Sequence, residues 1–317
     1  MAQGKKQHSP IRFLVGPPYS GHTDILRLWA KLHGLSIIEA PDPEQILAQD
    51  ENWFSDRSEH ERPWVLPSLE RCYLRHADGL AVVRKFFERA LSGRLGFGLV
   101  GCDSWAWSFL QKVWFFPQAE VITLQAFDSD RLKVYFGELA LSSVPGPLRF
   151  RDSDSGKDVL PASDTEKGAI SATSSFLKQL AAQSRGIIGI AWTYWRDSLY
   201  VEPDETENPE PHEETDEHSI PKNTIWLRAG LKEPTIPAGP NHDMAFVLHC
   251  LLLHNGLPLN LLVKLLPMSQ GVITSTLLLL ESANLVEEHN NVWRVSALGY
   301  PTVRQFLKNN DYGVDLF

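Results

Sequence analysis

Ile11-Arg-Phe-Leu-Val-Gly16-Pro-Pro-Tyr-Ser-Gly21-His22-Thr23 decides how the rest of this chain is read. Ile11 to Val15 is a short β-rich run that stops at Gly16-Pro17-Pro18. From Thr23 onward the apolar residues Ile25, Leu26, Leu28, Trp29 and Leu32 recur at helical spacing. The turn between them matches G-x-x-x-x-G-K-[ST] at every defined position except the lysine, which is His22. Such a loop cradles phosphates with backbone N–H groups at a helix N-terminus, while the lysine reaches the outer phosphates and the Ser/Thr hydroxyl holds magnesium. His22 is shorter than lysine and mostly neutral at pH 7.

Working outward, Leu35 to Ile38 reads as a second strand, Pro41 to Gln49 as a short helix or loop, and Trp64 to Leu66 as a third strand. Helical periodicity follows through Leu80, Val83, Phe86, Phe87 and Leu91. Gly96 to Val100 is a fourth strand, apolar enough for burial on both faces, and Glu120 to Leu124 a fifth, with helix from Asp128 to Leu141. This alternation predicts an α/β core with a parallel sheet. Ser142 to Gly168, rich in Ser, Pro, Gly and Asp, reads as a boundary or surface loop. Ala169 to Ala182 and Ile187 to Leu199 read as two helices forming a lid. Asn241 to Asn255, Pro258 to Leu266 and Ser269 to Asn284 read as three more, followed by a hairpin around Asn290-Asn291 and a last helix from Pro301 to Asn309. Three helices and a hairpin suggest a winged-helix shape.

The chain has 317 residues, with 30 Lys plus Arg against 39 Asp plus Glu and a formal net charge of -9. Nine of the acids lie between Leu199 and Pro221, where no Lys or Arg occurs. Subtracting those nine from 39 leaves 30 acids against 30 bases elsewhere. The stretch is highly charged, carries Pro203, Pro209 and Pro211, and has little to bury, so it reads as a flexible linker. The expected division is therefore a core over 10–150, a helical lid over 151–198, an acidic linker over 199–224 and a winged-helix domain over 225–317.

Gly16-Pro-Pro-Tyr-Ser-Gly-His-Thr resembles the GPPGTGKT loop of AAA+ ATPases, with Tyr19 where the family usually has Gly. The order of elements to about Leu199 resembles an AAA+ core with its lid, and the C-terminal part resembles the winged-helix domain of the origin-recognition and related branches. The resemblance implies ATP or ADP with Mg held by Gly16, Pro17, Pro18, Ser20, Gly21, His22 and Thr23, with Thr23 on the metal. It implies an Asp-Glu pair at the end of the third strand, where this chain has Pro67, Ser68 and, as the nearby carboxylate, Glu70. Asp103 or Ser104 stands where the polar sensor would lie, although a helix N-cap before Trp105 explains either as well. Arg185 and Arg196 are the nearest substitutes for the lid arginine that many members carry. Three departures together suggest a fold kept after hydrolysis was lost, a pseudo-ATPase acting as a regulatory or scaffolding subunit. A slow ATPase using Thr23 and Glu70, or a DNA-associated regulator, are the alternatives.

From Asn241 onward four bases face six acids, and Met268 to Leu285, which includes the third helix, carries no Lys or Arg. Phosphate neutralisation supplies most non-specific DNA affinity, so this balance disfavours DNA and favours a protein partner or a homo-oligomer. His212 and His218 read as part of a solvated charge run. His249, Cys250 and His254 sit on an apolar helix, where a buried histidine is the ordinary reading. Cys72, Cys102 and Cys250 form neither a disulfide framework nor a C-x-x-C motif, the N-terminus lacks an apolar signal segment, and no apolar run reaches a membrane span. A cytoplasmic protein is expected.

Overall fold

The computed structural model describes residues 9–55, 63–116, 119–143, 148–160, 173–201, 224–228, 230, 232–239 and 241–313. Its elements run β1 (Ile11–Gly16), α1 (His22–Leu32), β2 (Ser36–Ile37), α2 (Pro43–Leu47), α3 (Asn52–Ser55), β3 (Trp64–Leu66), α4 (Ala81–Leu91), β4 (Gly98–Asp103), α5 (Ser104–Val113), β5 (Glu120–Thr123) and α6 (Ser129–Ser143). They continue through β6 (Arg149–Asp152), α7 (Ser175–Gln183), α8 (Ile188–Ser198), β7 (Leu199–Tyr200) and β8 (Thr224–Leu227). The last are α9 (Asn241–Leu253), α10 (Leu259–Leu265), α11 (Gln270–Ser282), β9 (Val286–His289), β10 (Val292–Val295) and α12 (Tyr300–Asn309).

β1 to β5 form one parallel sheet in the order β2-β3-β4-β1-β5. Period-two alternation sorts its side chains. Ile11, Phe13 and Val15 of β1, Trp64 and Leu66 of β3, and Val100 and Cys102 of β4 enter one core with Phe86 and Phe87 of α4 and Trp107 of α5. Leu14 and Val65 point the other way, onto Leu26 and Ala30 of α1. Each large side chain so buried contributes roughly 1.5–3 kcal/mol relative to exposure. α1 ends in a Schellman motif: Gly34 adopts φ 62°, and the Leu35 N–H bonds the Ala30 carbonyl at 2.9 Å. The outward face of α1 leaves Ile25, Leu28, Trp29 and Leu32 exposed.

By compactness the chain separates into two units, one made of Met1–Gln125 with Glu233–Phe317 and the other of Ala126–Lys232. The first unit holds the parallel sheet and α9 to α12. Tyr73 Oη donates to the Leu253 carbonyl at 2.9 Å, Trp105 Nε1 donates to Tyr300 Oη at 3.1 Å, and α5 packs on α9. The C-terminal helices are thus built onto the α/β core. In the β9–β10 hairpin Asn290 and Asn291 sit at φ 52° and 62°, the left-handed pair that a two-residue turn requires.

The second unit packs α6 on α7 and α7 on α8 beside a three-stranded sheet in the order β6-β8-β7. β6 falls inside the segment read as boundary or loop, where Arg-Phe-Arg-Asp gives too little apolar signal. Leu199 and Tyr200, read as helix end and linker, are a strand paired antiparallel with Leu227 and Trp226 of β8. The two ends of the acidic stretch therefore meet in one sheet, and the chain passes between units near residues 125 and 232. Residues 202–223, with His212 and His218, lie outside the described residues. Among the described residues no helix is long and apolar enough to cross a membrane, and Cys72, Cys102 and Cys250 are buried free thiols.

Candidate nucleotide site

In an open parallel sheet a ligand crevice forms beyond the strand C-termini, where the helices leaving two adjacent strands go to opposite faces. That point lies here between β1 and β4. α1 leaves β1 for one face and α5 leaves β4 for the other, and the register pairs Gly16 with Asp103. The crevice brings together most of the residues selected from sequence: the turn 16–23 after β1, Ser68 and Glu70 after β3, and Asp103 and Ser104 at the β4–α5 junction. Arg185 and Arg196 belong to the other unit, Arg185 exposed at φ 55° and Arg196 ion-paired with Asp197 at 3.1 Å.

The turn is closed on itself. The Ser20 N–H bonds the Pro17 carbonyl at 3.1 Å, and Ser20 Oγ lies 3.1 Å from His22 Nδ1. A Cβ built on Gly16 would come within 2.4 Å of Ser20 Oγ, so the Ser20 side chain packs against the first glycine and leaves no room for a larger residue there. Tyr19 and Gly21 adopt φ 67° and 77°; Gly21 does so freely, whereas a side chain at Tyr19 carries backbone strain. His22 is 4 % exposed, and its Nε2 has no hydrogen-bond partner among the described residues. Burial pushes its pKa down to about 4, only partly offset by Asp24, so the ring is neutral.

Thr23 occupies the place the motif assigns it. Its Oγ1 lies 3.4 Å from the Pro67 carbonyl and 3.3 Å from Ser68 Oγ, against the end of β3. Its neighbour there is a hydroxyl, and neither group carries charge. Glu70 is fully buried, and its Oε2 accepts the Asp103 N–H at 3.1 Å. Burial holds its carboxyl above the ordinary range despite those hydrogen bonds. Asp103 occupies the N-cap position of α5, yet its side chain makes no cap bond to the helix. The N-cap explanation therefore does not account for its burial.

Sequence reading missed what covers the turn. Tyr19 Oη donates to the Val295 carbonyl of β10, and the Tyr19 ring meets Tyr300 edge-on at 6.5 Å between centroids. Pro18, Tyr19, Leu251, Asn255, Arg294 and Val295 enclose a cavity of only about 10 Å³. Burial raises the Tyr19 phenol above its ordinary value, reinforced by Glu287 and opposed by Arg294. Tyr19 itself is the signal available in the sequence, an aromatic ring where close approach to phosphate asks for glycine.

The residues present fit a magnesium nucleotide only in part: Thr23 stands where the motif puts the metal-holding hydroxyl, but the end of β3 beside it offers the Ser68 hydroxyl, and the lysine position is a neutral buried imidazole.

No protein-family model matches the chain, and no curated protein does. Among solved structures, a Walker-type ATPase from Pyrococcus abyssi is similar over 95 % of this chain and 92 % of its own length, at 12 % identity and a TM-score of 0.38. The parallel five-stranded sheet with its β1–turn–α1 unit resembles a P-loop ATPase fold.

Proposed function

We propose that this chain is an ATPase-like protein that no longer hydrolyses nucleotide and serves as a regulatory or scaffolding subunit through protein contacts, with α9 to α11 and the β9–β10 hairpin acting as a winged-helix module. One observation carries the reading: the lysine position of the turn holds a buried, neutral His22, next to a Tyr19 that is tied to the Val295 carbonyl. A fixed cation and an open row of backbone donors are what make such a loop bind phosphate tightly. Calorimetric titration with ATP and magnesium, beside a steady-state turnover assay, tests it. No heat of tight binding and no turnover above background are expected. Turnover that vanishes in Glu70→Gln overturns it.

A second reading has one observation in its favour. Thr23 still lies beside the end of β3, as a metal-holding threonine would, which supports a slow ATPase with Glu70 as base. Sub-millimolar ATP binding lost in Thr23→Ala would establish that reading in place of the first.

A further inference from the structure

A cleft of about 390 Å³ lies at the end of the parallel sheet opposite the nucleotide turn. It sits where Pro10, Pro63 and Phe97 lead into β1, β3 and β4, one strand length or roughly 17 Å along β1 from Gly16. The register accounts for its walls. Arg12 pairs with Leu99 of β4 and with Glu120 of β5, and Leu14 pairs with Ile122, so Arg12, Leu99 and Ile122 share the sheet face that carries α1. α1 packs on β1 to β4, and Ile122 of β5 is left 48 % exposed, beside Trp29 of α1 at 39 % and Phe97 at 69 %. Three large apolar side chains, two of them aromatic, thus border one concavity. A pocket of a few hundred Å³ with apolar and aromatic walls and few polar groups is the ordinary form of a small-molecule site.

Size and charge select the ligand. One turn of α-helix, 5.4 Å long and about 10 Å across, fills about 420 Å³, so the cleft holds less than a single turn of a partner helix. Arg12 is the charged residue of the lining, and its Nε donates to Glu120 Oε2 at 2.6 Å. An anion would have to compete with that carboxylate. No acid lines the cleft among the described residues, so a cation finds no counter-charge in it. The Arg12 Nη groups make no hydrogen bond among the described residues, which leaves donors for a neutral acceptor. We propose that this cleft binds a small uncharged aromatic molecule, its rings against Trp29, Phe97 and Ile122 and a hydrogen-bond acceptor toward Arg12. The cleft shares no residue with the nucleotide turn, so this reading and the one above can fail separately.

The test uses the full chain and two fluorescent probes with one ring body, uncharged phenylnaphthylamine and its anionic sulfonate, anilinonaphthalene sulfonate. Titration should show saturable binding of the uncharged probe at one site per chain, at least tenfold tighter than the sulfonate. Ile122→Trp, which fills the cleft from an exposed strand position, should weaken the uncharged probe at least tenfold with the thermal midpoint unchanged. Phe97→Ala, which removes a wall without touching the core, supplies a second check should the first variant fold poorly. Leu279→Ser takes an exposed apolar side chain from α11, outside the cleft, and should leave binding as it was. The proposal is overturned by any of four results: no saturable binding, equal affinity for the two probes, binding indifferent to both Ile122→Trp and Phe97→Ala, or an equal loss in Leu279→Ser. A concentration-dependent dimer dissolved by Ile122→Trp would also overturn it, by making the cleft an interface between copies.

Discussion

The Tyr19 hydroxyl is hydrogen-bonded to the carbonyl of Val295, 276 residues away in sequence, so the turn after the first strand is held down by the C-terminal hairpin. Tyr19→Phe removes the donor and leaves that carbonyl without it. A loss of about 1 kcal/mol is expected, read as a lower urea midpoint at unchanged slope. An unchanged midpoint would show that the contact has no energetic weight.

Gly16 and Ser20 should couple. Gly16→Ala alone drives a methyl to 2.4 Å from Ser20 Oγ and should cost about 1–3 kcal/mol. In a Ser20→Gly background the obstructing atoms are gone, so the same substitution should cost clearly less. The double-mutant cycle measures the difference, and additive costs would mean that Ser20 is not what excludes a side chain at position 16.

Glu70→Gln keeps an oxygen for the Asp103 N–H while removing a carboxyl held above its ordinary range by burial. An acid with a raised folded pKa stabilises the fold below that value and loses the contribution as pH rises through it. The variant should therefore be more stable than the parent at pH 8, with the advantage shrinking as pH falls toward the ordinary carboxylate range. Chemical denaturation at several pH values checks this; a variant less stable at pH 8 would contradict it.

Acid should act through three histidines. His22, His249 and His254 are pushed down to about 4, each chiefly by burial, against 6.5 for a free ring. Between those values the unfolded chain takes up protons that the native chain refuses, so stability is present above about 6.5 and is lost as pH falls toward 4. A fully buried ring contributes at most about 3–4 kcal/mol to this loss. His254→Gln, which retains an acceptor for the Arg75 N–H, should flatten the dependence over that window, and an unaltered slope would remove His254 from the account.

Much of the α/β core was legible because its signals are local. The β1 run, the glycine that ends α1 and the Asn290-Asn291 turn each act within a few residues. The positions of Thr23 and Ser68 were also within reach, since the motif fixes one and the end of a strand the other. β6 was not, because its pairing with β8 comes from residues far along the chain. The capping of Tyr19 was hidden for the same reason. Composition marked the acidic run as a connector between bodies, but composition reports which residues have little to bury and not which chain ends meet, and here Leu199 and Leu227 meet.

The path of the chain also sets an order of assembly. Ala126 to Lys232 form a unit interposed between the two segments that make the other, and the buried groups Tyr73 and Trp105 find their partners only in the last part of the chain, at Leu253 and Tyr300. During synthesis the interposed unit can close while the sheet that was translated first still lacks its C-terminal helices. The earliest residues to leave the ribosome are then among the last to reach their final packing, and the Tyr19 turn is covered only once β10 has been made.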